Sequence, residues 1–133
     1  MDIKQLRAAL NLSLAEFAAV VGVNKQTAWR WERYGQHPRT GPTLDRLADL
    51  EREAATSEGR AAITLRALNE LAMQRFSRDL VAARRRYADD VRVPVERLTG
   101  WATERLTEAE VAANAAYSAA LNTAQRRARE ILS

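Results

Sequence analysis

The stretch LSLAEFAAVVGVNKQTAWRWERYG, Leu12 to Gly35, decides the fold of this chain. Ser13 is a fitting N-cap for a short helix whose inner face is Leu14, Phe17, Ala18 and Val21. Gly22 then reverses the chain with Val23 buried behind it. Asn24 caps a second helix, which the pattern runs from Lys25 to about Tyr34 and ends at Gly35. Within that second helix Ala28 and Trp31 lie three apart and share the inward stripe, and Ala28 is small enough for the preceding helix to cross closely. Gln26, Trp29, Arg30 and Arg33 fall on another face. Trp29 and Trp31 are about 200° apart around the helix, so one small domain cannot bury both on a single face.

The outward set points to a chemistry. Lys25, Gln26 and Thr27 occupy the N-terminal turn, where side chains and free backbone amides face whatever anion approaches. Gln pairs bidentately with adenine, and Lys or Arg reads guanine O6 and N7, so a helix with these residues outward suits a DNA major groove. The competing reading is a three-helix core whose basic outer face is merely solvated. Trp29 has two readings as well, against a thymine methyl or sugar, or against the C-terminal half of the chain.

These residues resemble the Cro/C1-type (Xre) helix-turn-helix of phage repressors and bacterial regulators. The resemblance covers about Ile3 to Leu50. It rests on Leu6-Arg7, Leu12-Ser13, Glu16-Phe17-Ala18, Val21-Gly22-Val23-Asn24, and Trp31-Glu32 followed by glycine. It implies a lambda-repressor-like domain in which Lys25, Gln26 and Arg30 contact bases, with Thr27 or Trp29 adjacent. It also implies an internal ion pair between Arg7 and Glu32 that orients the recognition helix. Leu14 departs from the glutamine usual at that place, and Tyr34 is an extra residue before the glycine.

Outward from this stretch, every segment reads as helix, with no sustained period-2 alternation and no hairpin turn signal. Ile3, Leu6 and Leu10 line one face of an N-terminal helix. The loop GQHPRTGP holds two of the three prolines, and a further helix begins near Thr43 with Leu44, Leu47 and Ala48. His37 reads as a surface histidine of that loop, and Arg39 either holds a phosphate or is simply exposed. The pattern breaks around Thr56 to Gly59. A long helix follows, roughly Arg60 to Tyr87, with Leu65, Leu68, Ala72, Phe76 and Leu80 in one stripe. Arg92-Val93-Pro94 interrupts it. A short turn through Leu98 and Trp101 leads to the capping-box spacing of Thr107 to Glu110, and the last helix runs from there. The expected architecture is therefore all-α: a helix-turn-helix domain over 1–55 and an all-helical assembly domain over 60–133, whose long helices form a hairpin or a dimerisation element.

Two features of the C-terminal half stand out. Arginines 60, 66, 75, 78, 84, 85 and 86 face only Glu70 and Asp79 between residues 60 and 86. Such a run is either a solvated helix face or a second phosphate-binding surface. Ala112, Ala116, Ala120, Ala124 and Ala128 repeat every four residues. A ridge of that kind lets another helix approach closely, and Leu68, Ala72, Phe76 and Leu80 would suit it. The packing is either within the chain or between two chains.

Composition bounds the function. The 133 residues carry a net charge of +4 and no cysteine, which excludes disulfides, thiolate metal sites and cysteine nucleophiles. No apolar run approaches the roughly 18 residues that span a membrane. There is no Ser/His/Asp set, no paired metal ligands and no Gly-rich phosphate loop, so neither an enzyme nor a cofactor, metal or small-molecule ligand is expected. The expected partners are double-stranded DNA, through Lys25, Gln26, Thr27, Trp29, Arg30, Arg33 and Arg39, and a second copy of the chain. The expected compartment is the cytoplasm. As implied by the resemblance, the chain is a transcriptional repressor of temperate-phage or prophage immunity type. The rival readings are the antitoxin of a toxin–antitoxin pair, binding its toxin through the C-terminal helices, and an interaction protein that has lost DNA binding.

Overall fold

The computed structural model describes the backbone of residues 2–91 and 101–133 and the side chains of 2–88 and 107–133, and every element in it is helical. The helices are α1 (Ile3–Leu10), α2 (Leu14–Val21), α3 (Lys25–Tyr34), α4 (Pro42–Glu53), α5 (Ser57–Val91) and α6 (Trp101–Leu132). The interruption expected at Arg92-Val93-Pro94, and Leu98 after it, lie outside the described residues. By contact density the chain divides into two compact units. One comprises residues 1–71 and 122–133, the other residues 72–121. This division runs through α5 and α6, because Ile63 and Ala67 of α5 join the core of the N-terminal helices and Arg127 of α6 bonds to Glu16 and Asn11.

In the first unit the caps form where the sequence places them. The Ser13 hydroxyl accepts from the Glu16 N–H at 3.1 Å, and the Ser13 N–H donates to the Glu16 carboxylate at 2.8 Å, a reciprocal capping box. The Thr27 N–H donates to Asn24 Oδ1 at 2.7 Å, opening α3. Gly22 ends α2 at φ +87°, a left-handed conformation that side chains resist. A Cβ there would also stand 2.9 Å from Nη1 of Arg46. That Arg46 nitrogen donates to the Val21 carbonyl at 3.2 Å and satisfies a terminal acceptor of α2.

Ile3, Leu6, Leu10, Leu12, Phe17, Ala18, Val21, Ala28, Trp31, Leu47 and Leu50 close into one core, which Ile63 and Ala67 of α5 complete. Phe17, Leu10, Leu47 and Ile63 are almost wholly enclosed, each contributing roughly 1.5–3 kcal/mol of apolar burial. Leu14 and Val23, expected inside, are half-buried at its edge.

The junction between α4 and α5 corrects the expected start of the long helix, from about Arg60 to Ser57. The break lies at Ala54 to Thr56, and Gly59 sits inside the first turn of α5. Thr56 caps that turn, its hydroxyl accepting from the Gly59 N–H at 3.0 Å. Gly59 is required by proximity: a Cβ there would meet the Glu53 carbonyl oxygen at 1.8 Å. Gly59→Ala is therefore expected to destabilise the protein by about 1–3 kcal/mol through forced backbone displacement. Helix propensity alone predicts the opposite sign, a gain of about 1 kcal/mol. Urea unfolding of the two proteins decides between them.

In the second unit the outer parts of α5 and α6 pair antiparallel. Phe76 packs on Tyr117 with ring centroids 5.1 Å apart, and Arg84 reaches Glu110 at 3.4 Å. The α5 stripe lies as expected, with Ala72 buried and Phe76 and Leu80 half-buried. The α6 stripe differs. Ala112 and Ala116 are exposed, whereas Ala113 is buried, Tyr117 and Ala120 are half-buried, and in the first unit Ala124 is fully enclosed. A spacing of four advances about 40° per step around a helix, so a period-four alanine row winds off the contact face. Spacings that alternate three and four stay on it. The start of α6 differs too: it runs from Trp101, so Thr107 to Glu110 are internal turns of the helix, not a capping box.

Candidate nucleic-acid interface

The recognition surface is built from α3. Ala28, 0% exposed, and Trp31, 7% exposed, seat one face of the helix in the core, which turns the opposite face outward. Lys25, Gln26, Trp29, Arg30 and Arg33 are exposed and Thr27 is half-buried, so the structure brings these residues to one helix. Arg39 is exposed in the loop after α3 and makes no hydrogen bond or ion pair to another described residue. At the helix start, Asn24 takes the amide of Thr27. The amides of Lys25 and Gln26, in the first turn, have no acceptor within a helix and remain for an anion.

Trp29 is 45% exposed, and its ring meets that of Tyr34 edge-on, with centroids 5.9 Å apart at 87°. It also borders a shallow cleft with Lys4, Arg7, Glu32 and Arg33. Its described ring partner thus belongs to its own helix. His37 is half-buried, not a free surface residue, and its Nδ1 donates to the Pro38 carbonyl at 2.9 Å.

Two arginines fix the pose of this surface. Arg7 of α1 donates through Nε to Glu32 at 2.8 Å and through Nη1 to the Leu12 carbonyl at 3.0 Å. It thereby ties the end of α3 to α1 and to the start of α2, as the resemblance implied. Alanine at Arg7 and at Glu32, singly and together, is expected to reveal a coupling of about 1–2 kcal/mol in a double-mutant cycle of unfolding free energies, since the pair is only partly exposed. The second arginine has no counterpart in the sequence reading. Arg127 of α6 donates to the Glu16 carboxylate at 2.6 Å and to the Asn11 carbonyl at 3.2 Å. Burial by itself raises the Glu16 pKa; hydrogen bonding from the Ser13 amide and the Arg127 guanidinium outweighs it and holds the carboxyl below its ordinary value. No local signal marks Arg127, because its partners lie more than a hundred residues away.

A tight turn between two helices, and a second helix seated by its small and apolar face with cations turned outward, is a helix-turn-helix arrangement. Residues 3–57 match the family model described as helix-turn-helix, and this segment is a Cro/C1-type helix-turn-helix domain. That segment supports a DNA-binding transcription regulator of the Cro/C1 type. No curated protein and no solved structure gives a significant match to the chain. Among the described residues, no helix is long and apolar enough to cross a membrane.

Proposed function

We propose that the protein is a sequence-specific repressor that occupies an operator by laying α3 in the major groove, Lys25, Gln26 and Arg30 reading base edges. Arg33, Arg39 and the free amides of the first turn of α3 hold phosphates beside them, with Thr27 and Trp29 against sugar or thymine methyl. The observation that supports this reading is the exposure of that set on the face opposite the buried Ala28 and Trp31. One recognition helix covers few base pairs, so two copies reading two half-sites would supply the specificity a promoter needs. The resemblance suggests a temperate-phage or prophage promoter as the target.

A footprint of the full chain on DNA from its own upstream region tests the reading. Two protected half-sites about one helical turn apart are expected, together with a dimer mass in solution. Protection indifferent to sequence would refute base reading, and one short site with a monomer mass would refute pairing. The full chain is needed, since removing α6 would also remove residues that pack in the helix-turn-helix unit.

A further inference from the structure

The described arginines divide by what they touch. Arg7, Arg46, Arg60 and Arg127 donate to carbonyl or carboxylate oxygens inside the first unit. Arg52, Arg66, Arg84 and Arg126 sit in ion pairs, and Arg129 bonds to Gln125. The remainder, which reach no other described residue by hydrogen bond or ion pair, gather in two places. One is the recognition surface, with Arg30, Arg33 and Arg39. The other is α5, with Arg75, Arg78, Arg85 and Arg86, all exposed.

The α5 group is a face, not a scatter. Ala72, Phe76, Leu80, Ala83 and Tyr87 are turned inward. Counting about 100° per residue, Arg75, Arg78, Arg85 and Arg86 fall within an arc of about 100° on the far side. The described acids of this unit lie off the arc or at its border. Asp79 is beside the groove lined by Phe76 and Ala113, and Glu110 is taken by Arg84 on the other flank, with Glu108 on α6. Between the guanidinium groups, Ser77, Val81 and Ala82 leave a shallow depression of about 450 Å³, so a backbone can come close to the helix.

We propose that this face of α5 is a second, sequence-independent contact surface for the phosphate backbone of double-stranded DNA. Arg75 to Arg86 spans about 16 Å of helix axis, and a duplex offers about one negative charge per 1.7 Å. Guanidinium forks match phosphate oxygens bidentately. A protein partner would require a buried apolar or aromatic anchor, and this face offers only the half-exposed Val81. DNA is also the polyanion that a helix-turn-helix regulator already meets.

The test compares the full chain with R75Q/R78Q/R85Q/R86Q on a random-sequence duplex, by fluorescence anisotropy across a salt series. Each lost phosphate contact should flatten the slope of log K against log salt by about 0.9. The variant is expected to lose about 2–4 in slope and at least about tenfold in affinity at low salt, with helicity and unfolding midpoint retained. R78Q/R85Q, a milder change, should show about half the loss, and lysine at all four positions should keep most of the slope. A slope equal to that of the parent overturns the proposal. So does a variant that keeps DNA binding but loses binding to poly-L-glutamate, which would assign the face to an acidic protein. Failure of base reading by α3 would appear separately, as unchanged sequence preference in K25A/Q26A/R30A, and would leave the α5 comparison intact.

Discussion

Alanine at Lys25, Gln26 and Arg30 together is expected to reduce operator binding to the level of binding to random DNA, with the fold intact. None of the three side chains touches the core, so stability should change by no more than about 0.5 kcal/mol. A good bidentate contact to a base is worth about 1–3 kcal/mol of discrimination. Two such contacts on each half-site would set a specific site apart from random sequence by a factor of a thousand or more. Competition binding with specific and scrambled duplexes measures the ratio. Arg30→Ala alone separates two roles: loss confined to the cognate base assigns it to guanine, and equal loss on every sequence assigns it to phosphate.

Arg127→Ala is expected to destabilise the protein by about 2–3 kcal/mol, the scale of a charge-assisted hydrogen bond removed from a carboxylate that stays largely enclosed. The loss is smaller than for a fully buried pair, because the Arg127 side chain is 30% exposed and that of Glu16 is 12%. Acid should have a related effect. The folded-state pKa of Glu16 lies below its ordinary value of 4.5, so its contribution is complete above that value. It is lost as pH falls through the folded-state pKa. Glu16→Gln should therefore flatten the decline of stability below about pH 4.5, measured by urea unfolding over a pH series. A decline identical to that of the parent would show that other carboxyls govern acid unfolding.

Much of the recognition unit was legible because its signals are local. Ser13 and Asn24 sit next to the amides they cap, and the turn at Gly22 depends on that residue's own φ. The inward stripe of Ile3, Leu6 and Leu10 needs only helix period. What escaped was set by distance or by phase. Ser13 was legible as a cap, yet nothing near Glu16 announces a guanidinium from more than a hundred residues away. Gly59 looked like a breaker, whereas its missing side chain makes room for the Glu53 carbonyl one turn of chain away. The alanine row of α6 was conspicuous by composition, but composition does not fix which face meets a neighbour. Packing selected Ala113, Ala120 and Ala124, with the large ring of Tyr117 among them. The outward set on α3 could be named from the pattern, and its exposure follows from burying Ala28 and Trp31 in place of Trp29.

The bond from Arg127 to Glu16 also orders events in time. During synthesis α3 is complete about ninety residues before Arg127 is added, roughly 5–20 s at ordinary elongation rates. Throughout that interval a nascent chain holds a DNA-reading unit whose inner carboxylate still lacks its guanidinium. Messages interrupted upstream of Arg127 would yield fragments that retain α3 but not this last fastening, and proteases in the cell should clear them faster than the finished protein.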